Sequence, residues 1–487
     1  MDEVNSIIQS GDEVRESCGI FGIFAPGEDI ARLTYFALFA LQHRGQESAG
    51  IATSDGQKLQ VFAKMGLVSQ VFTEDDLAKL SGFIAIGHNR YSTTGASQIC
   101  NVQPLMIGSG EDALAIAYNG NITNSTALHK ELQEKGYSFN TTSDSEIIAN
   151  LILSSTEKEF TAKIRYAMRR LQGAYSLVLL TKEALWGVRD SLGMRPFCVG
   201  NLNGHGWVLA SETCALDNIG ASFLREVAPG EIIRIDKNGL CEYPEPSDKH
   251  ALCIFEYIYF ARPDSIISNR LIYDAREAMG ARLAEEHPVV ADLVVGVPDS
   301  ATPAAVGYSH ASGIPLGMGL IKNRYMGRTF IEPEQRLRDL GVKLKFNPMR
   351  PLLEGKRVVL VDDSIVRGTT TPQVIKLLRG AGAKEVHMRI CAPPICHPCF
   401  MGVDMATRRE LIAAQKTLPE IRETIGADSL GYLSLEGLIK AIGLPKDQFC
   451  LACFTGHYPL PVQLEMGKFS MEYTEEPSSS TADNLAG

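Results

Sequence analysis

The sequence predicts two joined halves, an α+β half to about residue 245 and an α/β half after it, and three observations carry that reading. In the first half, short apolar runs such as "FIAIGHN", "LAIAYNG", "YSLVLLT", "WVLAS" and "GEIIRID" are punctuated by Gly, Asn and Asp. That is the pattern of a sheet-rich domain covered by a few helices. The segment "CEYPEPSDKH" (Cys241 to His250) carries two prolines among charged residues and reads as a linker. Beyond it, "DLVVGVPDS", "KRVVLVDDS" and "EVHMRICAPP" are near-continuous apolar strands, each ending in a loop. Strands covered on both faces and alternating with helices make a parallel sheet.

The 487 residues are too many for one ordinary domain. The leader "MDEVNSIIQSGDEVRES" sets Asp2, Glu3, Asp12, Glu13 and Glu16 against Arg15 alone. Secretory leaders begin basic and organelle leaders avoid acids, so neither fits. No apolar run reaches the roughly 18–20 residues of a membrane span. The net charge of -10 argues against nonspecific nucleic-acid binding. A cytoplasmic protein is expected, with its 11 cysteines catalytic, metal-binding or buried rather than paired. "ARLTYFALFALQHRG" reads as a helix stopped at Gly45, and "SEIIANLILSS" as a second helix. The polar stretch 471–487 reads as a disordered tail. There is no internal repeat.

"VVLVDDSIVRGTTT" (Val358 to Thr371) is the most informative string of the second half. A buried strand ends in two acids, then a loop of Ser, Arg, Gly and Thr leads into "TPQVIKLLRGAGA", a helix with Pro372 in its first turn and Gly380 as its stop. In open parallel sheets ligands bind beyond the carboxyl ends of strands. Backbone N–H groups and hydroxyls at a helix start make a phosphate cradle. Ser364, Arg367, Gly368, Thr369 and Thr370 supply that cradle; Asp362 and Asp363 repel phosphate and suit a ribose diol, Mg²⁺ or a developing cation.

This string resembles the phosphoribosyl pyrophosphate signature of type I phosphoribosyltransferases. The resemblance implies that Asp299 and Ser300, in "VVGVPDSATPAA", lie where pyrophosphate and its Mg²⁺ bind, Ser300 joining Asp362 and Asp363 at the metal. It also implies that Lys322, Arg324 and Arg328, in "LIKNRYMGRTFIEP", belong to a catalytic loop that closes over the diphosphate, where cations stabilise the departing charge.

In the first half, "CGIFGI", "LQHRGQESAG", "HNRYSTTG", "YNGNITN" and "TTSDSEI" together resemble the glutaminase domain of N-terminal nucleophile amidotransferases. The resemblance implies a four-layer αββα sandwich with Cys18 as nucleophile and first residue of the mature chain. Chemistry explains that position: the thiolate is the nucleophile, and only a free α-amine, with a pKa of about 7.7–8.0, can exchange its proton near neutral pH. Residues 1–17 are then a propeptide. By motif, Arg90 matches the group that grips the glutamine carboxylate, Asp144 the acid that receives its ammonium, and Asn119 and Gly120 the oxyanion donors.

A glutaminase domain (18–245) followed by a phosphoribosyltransferase domain with a cysteine-rich C-terminal segment (246–470) resembles the glutamine phosphoribosylpyrophosphate amidotransferase family. The resemblance implies that ammonia freed from glutamine passes, shielded from water, to phosphoribosyl pyrophosphate. The products are 5-phosphoribosylamine, glutamate and pyrophosphate, in the first committed step of purine synthesis. It implies inhibition by purine nucleotides and a homotetramer or homodimer. The runner-up reading is a regulator that senses phosphoribosyl pyrophosphate without synthesis; such repressors carry a basic DNA-binding domain in front, where this chain has glutaminase motifs and an acidic balance.

Cys450 and Cys453 stand in C-x-x-C spacing, which by itself fits a zinc half-site, a redox pair or chance. With Cys253 and Cys399, the resemblance implies that the four hold a [4Fe–4S] cluster, a trait of the family branch that also carries a leader before its nucleophile. Cys100, Cys198, Cys214, Cys241, Cys391 and Cys396 read as packed thiols.

Overall fold

The computed structural model describes residues 18–91, 97–245, 247, 249–323, 345–405 and 407–461. The leader 1–17, the segment after Tyr91 in "HNRYSTTG", Arg324 and Arg328 with the rest of 324–344, and the tail 471–487 lie outside the described residues. No described helix is long and apolar enough to cross a membrane.

Among the described residues the first half contains thirteen strands in chain order: β1 (Gly19–Phe24), β2 (Ser48–Ser54), β3 (Leu59–Met65), β4 (Ile84–Arg90), β5 (Leu105–Ile107), β6 (Leu114–Ile122), β7 (Gly173–Leu180), β8 (Leu185–Arg189), β9 (Cys198–Leu202), β10 (Gly206–Ala210), β11 (Ser222–Glu226), β12 (Ile232–Asp236) and β13 (Gly239–Tyr243). They form two antiparallel sheets, ordered β11-β9-β10-β1-β4-β2-β3 and β13-β12-β8-β7-β6-β5. Ile20, Phe24, Ile86, Val178, Leu185, Leu209 and Ile233 pack between the sheets. Helices Ile30–Ala40 and Thr213–Asn218 cover the first sheet, and Ser125–Glu134, Asp144–Leu153 and Phe160–Met168 cover the second. Because both faces of each sheet are covered, the central strands β1, β4, β6 and β7 are buried almost throughout, while the edge strands β3, β5, β11 and β13 are more open. The arrangement is the αββα sandwich.

Local chemistry fixes the helix starts. Asp29 accepts from the Arg32 N–H at the head of Ile30–Ala40, and Ser143 from the Ser145 N–H at the head of Asp144–Leu153. Two expected stops move. Helix Ile30–Ala40 ends on Leu41, well before Gly45, because the chain turns there to bring Arg44 under Cys18. Gly380 is the last helical residue rather than the cap, and the left-handed turn falls on Gly382. The linker is also shorter than expected: Cys241–Tyr243 complete β13, paired to β12.

In the second half β17 (Leu293–Gly296), β20 (Arg357–Asp362), β21 (Glu385–Ile390) and β22 (Ser429–Tyr432) form a parallel sheet in that order. Helices Ile272–Glu286, Thr302–Ser312, Thr371–Gly380 and Leu435–Ile442 pack around it over one continuous core. A short parallel pair, β14 (Leu252–Cys253) and β23 (Phe449–Cys450), ties the start of this half to its C-terminal segment and sets Cys253 beside Cys450.

Candidate functional site

The glutaminase residues come from strand ends and one helix start. β1 and β4 run antiparallel, with Gly19 opposite Asn89, so Cys18 meets the end of β4, where its Sγ donates to the Tyr91 carbonyl at 3.3 Å. Arg90 ends β4 and is buried. Burial pulls the His88 imidazole down to about 3, so it stays neutral, and its Nε2 lies 3.0 Å from the Tyr118 carbonyl on β6. This contact joins the two sheets beside the site. Asp144, the first residue of its helix, accepts from the Tyr118 hydroxyl at 2.8 Å and the Ile122 N–H at 3.2 Å. Burial pushes its carboxyl up to about 6; these two donors and the charge of Arg90 oppose the rise.

Asn119 is 1% exposed, and its Nδ2 has no hydrogen-bond partner among the described residues. Leaving a buried N–H unpaired costs about 1–3 kcal/mol, so the group points to a ligand not present. Gly120 follows with φ +155°, and a Cβ there would meet the Ala174 carbonyl oxygen at 1.9 Å. No other residue fits. The side-chain amide and the following N–H are thus set by β6 in a conformation that only Gly permits.

The second cluster lies at the carboxyl end of the parallel sheet. β17 and β20 are neighbours, and Ser300 after the first donates to Asp363 Oδ2 after the second at 2.6 Å. Asp363 also accepts from Ser364 Oγ at 2.7 Å, and its N–H donates to Asp362 Oδ1 at 3.0 Å. Gly368 takes φ +71° and leads through Thr369 to Thr370, the residue capping helix Thr371–Gly380. Arg367 pairs with Glu410 at 2.7 Å, and Lys322 with Asp299 at 3.1 Å. Asp362, Asp363 and Ser300 offer hard oxygen donors, the type Mg²⁺ takes when substrate phosphates complete its shell.

The four cysteines of the resemblance line one cavity, Cys253, Cys399, Cys450 and Cys453 together, with Met194, Phe255, Met401, Val403 and Met405 around them. Burial pushes the thiols of Cys253, Cys450 and Cys453 up, Cys450 to about 11. Among the described residues no group of three or more His, Cys, Asp or Glu is placed to hold a metal ion.

Sequence reasoning gave no role to a buried ion network between the halves. Arg44 donates to the Cys18 carbonyl at 3.4 Å and forks onto Glu256 at 2.9 and 3.1 Å, and it also pairs with Glu212. Glu212 accepts from the Arg262 N–H at 2.9 Å and Ser265 Oγ at 2.7 Å. Burial opposes its charge, but His43 and Arg44 hold it well below the usual carboxylate range. One signal was available: Glu256 is the sole acid inside the apolar run "ALCIFEYIYFA".

Comparison with known proteins agrees with both halves. A glutamine amidotransferase domain model matches residues 88–218, and a phosphoribosyl transferase domain model matches 264–392. An amidophosphoribosyltransferase of Synechococcus elongatus is 49% identical over 96% of either chain. One from Methanothermobacter thermautotrophicus is also 49% identical, over 94% of this chain and 97% of its own. Among solved structures, an allosteric regulatory enzyme of purine biosynthesis superposes with TM-score 0.88 at 47% identity, covering 92% of this chain and 97% of its own. A glutamine phosphoribosylpyrophosphate amidotransferase of B. subtilis, complexed with ADP and GMP, superposes with TM-score 0.87 at 46% identity over 92% and 99%.

Proposed function

The chain belongs to the amidophosphoribosyltransferase family, glutamine-dependent pentosyltransferases of purine biosynthesis, and from that premise we propose how its residues divide the reaction. The leader 1–17 is removed, and the freed α-amine of Cys18 takes the proton from its own Sγ. The thiolate attacks the amide carbon of glutamine, whose carboxylate is gripped by Arg90 and whose ammonium meets Asp144. Asn119 Nδ2 and the Gly120 N–H receive the oxyanion. When the tetrahedral intermediate collapses, the C–N bond breaks and the amine returns the proton to the leaving nitrogen. Water then hydrolyses the thioester to glutamate.

The second domain, 246–470, receives the ammonia. Free in water near pH 7 it would become ammonium and lose the lone pair it attacks with, so the two sites exchange it through a shielded passage. The family uses Mg²⁺ with phosphoribosyl pyrophosphate. Ser300, Asp362 and Asp363 would hold it, where it would neutralise charge on the diphosphate. Ser364, Arg367, Gly368, Thr369 and Thr370 cradle the 5′-phosphate, and Lys322 with Arg324 and Arg328 neutralises the departing diphosphate. Ammonia attacks C1 of the ribose, and the C–O bond to pyrophosphate breaks.

Cys253, Cys399, Cys450 and Cys453 would hold a [4Fe–4S] cluster that ties the start of the second half to its C-terminal segment. Four cysteines lining one largely apolar chamber supply the sulfur donors that such a cluster takes. Purine nucleotides inhibit, the assembly is a homotetramer or homodimer, and the protein is cytoplasmic.

The observation that carries the reading is the buried Asn119 amide, whose Nδ2 has no partner among the described residues, beside a glycine held at positive φ. The test is Cys18→Ser assayed with either nitrogen source. Glutamine-dependent synthesis should fall at least ~10³-fold while ammonia-dependent synthesis persists. Equal loss of both defeats the division of labour. Intact mass of the active protein should lack residues 1–17.

A further inference from the structure

Arg195 is the one cationic side chain lining the four-cysteine cavity among the described residues, and it is 1% exposed. Its Nη2 donates to the Met401 carbonyl at 2.6 Å, on the segment whose Met401 N–H donates to Cys399 Sγ at 3.4 Å. Its Nε and Nη1 have no hydrogen-bond partner among the described residues. The nearest anion, Glu256 Oε1, stands 3.8 Å from Nη1 and is already committed to the Arg44 fork. A guanidinium is always charged, and two of its nitrogens held idle in an apolar interior are costly unless a ligand takes their N–H groups.

The backbone is shaped to let Arg195 in. Gly402 adopts φ +99°, and a Cβ there would meet Arg195 Nη2 at 2.7 Å. The same cavity is lined by the sulfurs of Cys253, Cys399, Cys450 and Cys453, and cysteine binds a metal as the thiolate anion. The cavity therefore pairs a set of would-be anions with a cation that has donors to spare.

We propose that Arg195 is a positioning residue for the group held by Cys253, Cys399, Cys450 and Cys453, donating its idle N–H groups to that group's sulfur and stabilising its negative charge. Hydrogen bonds to sulfur and nearby charge set the reduction potential of iron–sulfur centres. The inference rests on the cluster reading above. It adds a link: through Glu256 and Arg44, the same guanidinium is two ion pairs away from the Cys18 carbonyl.

The test uses full-length protein purified without oxygen, as wild type, Arg195→Gln and Arg195→Lys. Iron and sulfide per chain are measured, and the midpoint potential is titrated by absorbance and electron paramagnetic resonance. Removing the positive charge disfavours the more negative, reduced form. Arg195→Gln should be at least tenfold harder to reduce, about 59 mV more negative for one electron. Arg195→Lys, which keeps the charge, should lie between it and wild type. A loaded Arg195→Gln with wild-type potential overturns the inference. Should Arg195→Gln fail to fold or load, Arg195→Lys decides: restored iron and sulfide support the role of charge, and a folded Arg195→Lys without iron overturns it. Wild-type protein free of iron and sulfide would instead sink the cluster reading and the inference with it.

Discussion

At the glutaminase end, Arg90, Asn119 and Asp144 are almost wholly buried, and Asn119 Nδ2 has no partner among the described residues. At the phosphoribosyl end Asp363 and Ser364 are buried too, but the polar groups are already paired. Asp299 is 70% exposed and held by Lys322, Ser300 donates to Asp363, and Arg367 is taken by Glu410. The difference follows from the substrates. Glutamine is a small zwitterion whose reacting carbonyl gains charge only in the transition state, so a donor left idle in the ground state is used where it accelerates. Phosphoribosyl pyrophosphate is a polyanion that arrives charged, so its cations can be stored in ion pairs and exchanged on binding.

The sharpest way to break that contrast is to remove the idle donor. Asn119→Ala should lower glutamine-dependent kcat by about 10²–10³, the usual cost of one oxyanion donor. The KM for glutamine should hold, because Arg90 and Asp144 remain. Ammonia-dependent synthesis should stay within about twofold. Thermal stability should not fall through a lost hydrogen bond, since Nδ2 makes none among the described residues. A parallel drop in the ammonia-dependent rate would mean that Asn119 shapes the whole protein rather than one site.

The reciprocal variant probes the other end. Asp363→Asn removes the charge and keeps one of the two acceptor oxygens that Ser300 and Ser364 use. Synthesis should fall roughly 10- to 100-fold with either nitrogen source, since interactions of a charged partner are worth about 1.5–3 kcal/mol. Glutamine hydrolysis measured without phosphoribosyl pyrophosphate should change little. Unchanged synthesis would remove Asp363 from the site.

The contrast also explains what could be read before the fold was known. The phosphoribosyl loop is contiguous, so "VVLVDDSIVRGTTT" displays strand, acids, cradle and helix start in one string, and the structure keeps them in that order. The glutaminase residues are scattered over more than a hundred positions and only the resemblance assembled them; their burial and the idle amide depend on how two sheets stack. The network of Arg44, Glu212, Glu256 and Arg195 was out of reach because its members are far apart in sequence and Glu256 meets both arginines across the join between the halves. Gly45 and Gly380 were misread as stops for a related reason: a helix ends where tertiary contacts turn the chain, and Arg44 beneath Cys18 outweighs the local glycine signal.

A gentler probe is pH, acting through Asp144. Burial pushes its carboxyl up to about 6, above the 3.8 of an unperturbed aspartate, although Tyr118, Ile122 and Arg90 oppose the rise. In the role proposed for Asp144 only the ionised form receives the glutamine ammonium, so kcat/KM for glutamine should fall about fourfold between pH 7 and 5.5, with ammonia-dependent synthesis lacking that limb. The sign for stability is opposite to that of an ion-paired acid. The folded state holds the Asp144 proton more tightly than the unfolded chain, so this group's contribution is fullest below about pH 3.8 and is lost as pH rises through 6. Two pH units, each about 1.4 kcal/mol, set an upper bound near 3 kcal/mol on the cost of keeping the buried charge at pH 8. Asp144→Asn, whose side-chain oxygen can still accept from the Tyr118 hydroxyl and the Ile122 N–H, should therefore melt higher than wild type at pH 8 and lose that advantage near pH 4, while its use of glutamine fails at both. A melting gain that persisted unchanged at pH 4 would mean that the carboxylate's charge is not what the fold strains to hold.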